Sequence, residues 1–270
     1  MSDDLEVLEQ APADGSYSRG VKIMGLGIAA TGLLTFAYFS AASHALTPDQ
    51  YGYVSLLWAL LFIVMCVLYR PVEQLLSRSI AEQQARGSSA APLRKAALIQ
   101  VSFAALFLVA ALMLRGPLQD DLLGGSSDLY WIFVSASLAY AASYFARGYF
   151  AGHKWFALYG ALVFFEALAR LCFPIGVLVG VATGQTAVAA GILAAPLASL
   201  LVVPLAIYRH RRSSTAPEAA PVQDAEGGTS DARFAGSVAI VQLSEQTLLN
   251  AAVLLVSGAS TQGLVFSALL

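Results

Sequence analysis

Charge is what this chain has least of. Only 12% of its 270 residues are Asp, Glu, Lys or Arg, while 58% are hydrophobic; an ordinary soluble domain carries about 25% charge. So few charges cannot cover a water-soluble globule of this size. Cysteine is nearly absent as well. Cys66 and Cys172 both fall inside apolar runs, which excludes a disulfide framework and a thiolate metal site. The three histidines, His44, His153 and His210, are scattered, so no zinc cluster is readable. The sequence holds no Walker loop and no dinucleotide fingerprint, which excludes an ATP-driven pump on this chain and points to no cofactor. A net charge of −2 argues against nucleic acid as a partner. No constellation of catalytic residues stands out, and the chain reads as a non-enzyme.

Long apolar runs are what it has instead. Seven stretches, 21–45, 52–74, 96–114, 129–150, 155–181, 186–208 and 234–258, are each long enough to cross a hydrocarbon core of about 30 Å. The mean hydropathy of +0.69 agrees with a polytopic membrane protein. The loops between these stretches alternate between basic and nearly base-free. Of the fifteen Lys and Arg residues, only Arg115 falls on the base-poor side and only Arg170 falls inside a span away from its cytoplasmic end. The positive-inside rule therefore places the N-terminus in the cytoplasm. Aromatic residues agree with the spans. Tyr51, Tyr53, Tyr130 and Trp131 mark the external ends, and Tyr69, Trp155 and Tyr208 the cytoplasmic ends, as in an interfacial belt.

Residues 1–18 are acidic, with Asp3, Asp4, Glu6, Glu9 and Asp14, and read as a disordered cytoplasmic tail. A cleavable signal peptide is the rival reading of the first span, because Ser43-His44-Ala45 resembles a cleavage site; the apolar run is too long for it. The external loops are too short to hide a catalytic domain. Residues 209–233 form a cytoplasmic linker. A basic cluster, Arg209, Arg211 and Arg212, opens it as a stop-transfer anchor, with a lipid-headgroup site as the alternative, and a stretch rich in Ser, Ala, Pro and Gly follows. Aligning Gly52 with Gly263 suggests an internal repeat, so that residues 19–208 form a six-helix lobe and residues 234–270 begin a second. The apolar segment from Gly263 to Leu270 would span only about 12 Å as a helix. The sequence thus reads as truncated within its second lobe.

The order of motifs resembles a known family. A first span followed by L-T-P-D-Q-Y-G-Y-V-S (46–55), a basic second loop, R-G-Y-F-A-G-H-K-W-F (147–156) entering a fifth span, and L-L-N-A-A-V-L-L-V-S-G (248–258) is similar to the polysaccharide flippase branch of the multidrug/oligosaccharidyl-lipid/polysaccharide (MOP) exporter superfamily. The resemblance implies two six-helix lobes around a central cavity. It also implies alternating-access transport of a polyprenyl-pyrophosphate-linked glycan across the inner (plasma) membrane. Its partners would be the lipid bilayer, that glycan and a missing C-terminal lobe. A drug/cation antiporter of the same superfamily is the nearest alternative. A half-length membrane scaffold without transport is the next, and a membrane glycosyltransferase the least favoured.

Ionisable groups at membrane depth are the candidate functional residues, since a charge there costs at least about 2.5–3.5 kcal/mol. Glu166 and Arg170 lie four apart in the fifth span, share a helix face and are expected to pair. The pair either orients the helix or places Arg170 to attract a pyrophosphate. In the seventh span Gln242, Glu245, Gln246 and Asn250 form a polar stripe that either lines a cavity or bonds to neighbouring helices; Glu245 is its most costly member. Arg70, beside Pro71 and Glu73, is expected to snorkel to the interface or to gate a cavity mouth. Arg147 is a weaker candidate for meeting a substrate phosphate. Gly148, Gly152, Gly176, Gly180 and Gly184 are expected to let helices pack closely, and Pro174, Pro196 and Pro204 to kink them.

Overall fold

The computed structural model describes residues 15–86, 93–204 and 208, and these fold as α-helix joined by short turns, with no strand among them. Residues 1–14 of the tail, the linker and the seventh span, with Gln242, Glu245, Gln246 and Asn250, lie outside the described residues, as do the second copy of the proposed repeat and the C-terminal segment; residues 15–18, expected to belong to a disordered tail, are helical instead. Seven α-helices are assigned: α1 Gly15–Ala45, α2 Pro48–Val64, α3 Arg70–Ala85, α4 Leu93–Met113, α5 Ser127–Gly152, α6 Phe156–Leu178 and α7 Gly184–Ser199. Six stretches within them are long and apolar enough to cross a bilayer: Gly25–Ala45, Pro48–Ala85, Leu93–Met113, Ser127–Gly152, Phe156–Leu178 and Gly184–Pro204. They coincide with the first six spans read from the sequence. In hydrocarbon a lone segment must bond its backbone groups within itself, which is why the described apolar spans are helical. The protein is an all-α, polytopic membrane protein.

The second span is longer than expected. Instead of ending near residue 74, helix continues from Pro48 to Ala85. A π-helical turn, Met65–Tyr69, makes this continuity feasible, with the Arg70 N–H donating to Met65 O. Proline in a regular helix lacks a donor and collides with the carbonyl four residues earlier, and a wider turn relieves both conflicts. At the other end, L-T-P-D-Q is a helix start. Thr47 Oγ1 accepts from Gln50 N at 3.5 Å, Gln50 Oε1 accepts from Thr47 N at 3.4 Å, and Pro48 occupies the first turn.

Helix α6 lies between α1 and α7, while α5 packs on α3 and α7. Small residues set these contacts, because lipid offers no hydrophobic drive for one helix to prefer another. A Cβ on Gly27 would stand 3.1 Å from Gly160 Cα, on Gly148 2.8 Å from Glu73 O, and on Gly191 2.9 Å from Arg170 O. Gly148 and Gly152 therefore pack helices as their spacing suggested. Gly176, Gly180 and Gly184 do not, because each faces open space. Gly180 instead ends α6: its φ is 79°, its N–H donates to Val177 O, and the Val181 N–H donates to Gly176 O, the paired bonds of a Schellman motif. Pro174 and Pro196 lie inside α6 and α7, which run through them.

The largest core cluster gathers Tyr38, Val54, Leu57, Leu61, Tyr69, Phe133, Tyr140 and Ile192. Several expected belt aromatics belong to it. Tyr51, Tyr69 and Tyr130 are buried, and the Tyr130 hydroxyl donates to Ala111 O, so these are packing residues; Trp131 and Tyr208 remain exposed. Outside the core, Leu26, Leu33 and Phe36 on α1, Leu98, Val101 and Leu106 on α4, and Phe165 and Ile175 on α6 are exposed apolar side chains. That surface suits a hydrocarbon solvent.

Candidate functional site: a buried charged cluster between α5 and α6

Helix α5 presents Tyr140, Ser143, Tyr144 and Arg147 at spacings of three and four, so they share one face. Helix α6 answers with Tyr159, Glu166 and Arg170. All but Tyr159 are buried. Arg147 Nη2 lies 2.6 Å from Glu166 Oε2, and Ser143 Oγ donates to the same oxygen at 3.3 Å. The Arg147 guanidinium also lies over the Tyr144 ring at 4.4 Å. A salt bridge out of water holds only when its geometry is good and further hydrogen bonds assist. Here the serine and the ring supply that help.

The expected Glu166–Arg170 pair is not formed. Glu166 pairs across the helix interface with Arg147, nineteen residues away in sequence, rather than with the arginine one turn along its own helix. Two aromatic rings take Arg170 in place of the carboxylate. Its guanidinium sits 4.1 Å from the Trp58 centroid and 5.8 Å from that of Tyr38, and Nη2 donates to Thr35 Oγ1 at 3.4 Å. Arg170 is 2% exposed, and its Nε and Nη1 have no hydrogen-bond partner. Ring faces attract a cation through their quadrupole without neutralising it. Arg170 thus stays a buried, unneutralised charge held among α1, α2 and α6.

A third polar link lies nearby. The Tyr159 hydroxyl donates to Glu73 Oε1 at 2.9 Å and ties α6 to α3. Arg70 is exposed at the junction of the π turn and α3, at the margin of the cluster, where its charge acts on Glu73 and Tyr144. The structure therefore pairs Arg147 with Glu166, sets Arg170 one turn along α6, and leaves Arg70 at the margin of the cluster. Sequence reasoning missed Trp58, Tyr38, Thr35 and Ser143 as members of the site. Trp58 and Thr35 carried a readable signal, being polar or amphipathic residues in the middle of apolar spans.

The motif R-G-Y-F-A-G-H-K-W-F now has a physical meaning. Arg147 pairs, Gly148 and Gly152 admit α3, and Phe150 packs. His153, Lys154 and Trp155 turn the chain. Lys154 has φ 58°, its N–H donates to Ala151 O, and the Trp155 N–H donates to Phe150 O, the same Schellman pattern built on a lysine.

No family model and no curated protein sequence matches the chain. Among solved structures, a MOP superfamily transporter from Pyrococcus furiosus Vc1 (DSM3638) matches with a TM-score of 0.56 at 15% identity, over 92% of this chain and 57% of that one. The fold is shared with a MOP transporter. Reverse polarity of that transporter's binding pocket suggests a different function for it. This chain spans little more than half of its length.

Proposed function

We propose that this chain supplies the first lobe of a multi-pass inner-membrane transporter that flips an anionic, lipid-linked oligosaccharide by alternating access, acting as a carrier without enzymatic chemistry. Three features support the reading: the fold shared with a MOP transporter, the six apolar spans, and the composition of the buried cluster. The observation that carries it is Arg170. A guanidinium buried to 2% exposure, gripped by rings and lacking a carboxylate, is costly unless an anion meets it in some state of the transport cycle. A pyrophosphate headgroup has that charge, and its polyprenyl tail stays in lipid.

In this mechanism Arg147 and Glu166 hold α5 against α6 as a neutral strut, so that the lobe moves as a body. Gln242, Glu245, Gln246 and Asn250, which lie outside the described residues, enter this reading only as the polar stripe expected from the sequence. Arg170 draws the phosphate inward from the basic, cytoplasmic side. The test compares Arg170→Gln, Arg170→Lys and Glu245→Gln in the native cell at matched membrane abundance. Surface glycan is expected to fall in the glutamine variants and to be partly retained in the lysine variant. Unchanged export in all three rejects the assignment.

A further inference from the structure

A second site lies on the opposite side of α5, away from the charged cluster. Helices α4 and α5 enclose a cleft of about 380 Å³ lined by Ala97, Gln100, Val101, Ala104, Ala141 and Phe145. Its volume lies within the range of roughly 300–1,000 Å³ usual for ligand sites. Val101, on one wall, is 66% exposed on the membrane-facing surface, so the cleft opens laterally into lipid. All of its lining is apolar except Gln100. That side chain is 5% exposed; its Nε2 donates to Ala141 O at 2.8 Å, while Oε1 is buried with no partner. A buried acceptor without a partner is rare and calls for a polar group beside it.

Charge marks one end of the cleft. Arg94, Ala97, Val101 and Ala104 follow spacings of three and four along α4, so the cleft wall continues directly to Arg94. Arg94 is exposed, and Lys95 stands next to it. Six residues separate Arg94 from Gln100, about 9 Å along the helix. Since an arginine reaches outward to the interface, a phosphate held at Arg94 would place a lipid's glycerol esters level with Gln100 and its acyl chain between α4 and α5.

We propose that this cleft binds one anionic phospholipid, with its phosphate at Arg94, its ester region at Gln100 and one acyl chain against Ala97, Ala104 and Ala141. Gln100 Nε2 has a second N–H for an ester carbonyl, and the water that hydrates the esters bonds to Oε1. The apolar walls take the chain, and Arg94 selects the headgroup.

Native mass spectrometry of the full chain in detergent, titrated with phosphatidylglycerol or phosphatidylcholine of equal chain length, tests this. Phosphatidylglycerol is expected to bind about fivefold more tightly, the factor contributed by one cation beside an anionic headgroup. Arg94→Gln should abolish that preference while leaving phosphatidylcholine binding unchanged. Ala104→Phe and, independently, Ala97→Phe should fill the cleft and weaken both lipids, provided that each variant keeps the helicity of the parent chain. Equal binding of the two lipids by the parent chain, or binding unaffected by Arg94→Gln and by whichever phenylalanine variant folds, overturns the proposal.

Discussion

Two buried arginines on neighbouring helices show how differently one fold treats the same side chain. Arg147 meets a carboxylate, a serine and a ring, and its charge is cancelled within the lobe. Arg170 meets two rings and a threonine, and its charge is not. The first arrangement closes on itself. The second leaves a buried charge without a carboxylate, and under the proposed function it is the charge that an anionic substrate meets.

The largest effect should come from breaking the cancelled pair on one side. Glu166→Gln leaves Arg147 buried and unpaired, and should lower stability by about 3–5 kcal/mol. Replacing both partners, as Arg147→Met with Glu166→Leu, should be close to neutral, because the desolvation of the two charges disappears with them. Thermal unfolding of the purified full chain reads both. Equal losses in the single and double variants would remove the strut from the account.

Next in size is the contact that lets α3 approach this pair. Gly148→Leu forces a side chain into the backbone at Glu73 and should cost about 1–3 kcal/mol, whereas Gly176→Leu enters open space and should cost little. Comparable melting temperatures for the two would contradict the assignment of packing to Gly148 rather than to Gly176. A smaller, opposite effect is expected where α5 ends. Lys154 holds a left-handed conformation that costs a non-glycine residue about 1–2 kcal/mol, so Lys154→Gly should raise stability by roughly 1 kcal/mol.

Smallest of all should be the stability change on removing the uncancelled charge. Arg170→Gln loses a ring contact of about 1–2 kcal/mol but also removes a buried ion, and the two offset to within about 1 kcal/mol. A loss as large as that of Glu166→Gln would make Arg170 a structural residue like its neighbour.

The six described spans were legible because apolar length and loop charge are local properties of the sequence. Their ends were less so. Arg70, Pro71 and Glu73 mark the expected end of the second span near residue 74, yet a π turn lets helix run on to Ala85. The charged residues of the site were legible one by one, since each interrupts an apolar run, but their partners were not. Spacing on one helix favours Glu166 with Arg170, whereas the fold offers Glu166 an arginine and a serine from α5 in better position. Tyr69 and Tyr130 misled for a related reason: a tyrosine near a span end resembles a belt residue until the packing of neighbouring helices is known. Glycine spacing predicted close packing at Gly148, but at Gly180 the same spacing belongs to a helix cap.

The division of roles between the two arginines is tested most directly by translocation in reconstituted vesicles. A polyprenyl-pyrophosphate-linked oligosaccharide, the substrate class of the proposed function, would be followed across the bilayer with the protein carrying either Arg170→Gln or the double replacement Arg147→Met with Glu166→Leu. At least about a tenfold loss is expected for Arg170→Gln, equivalent to about 1.4 kcal/mol, with near-parental rates for the double variant. Near-parental rates for Arg170→Gln, with transport lost in a folded double variant, would contradict that division of roles.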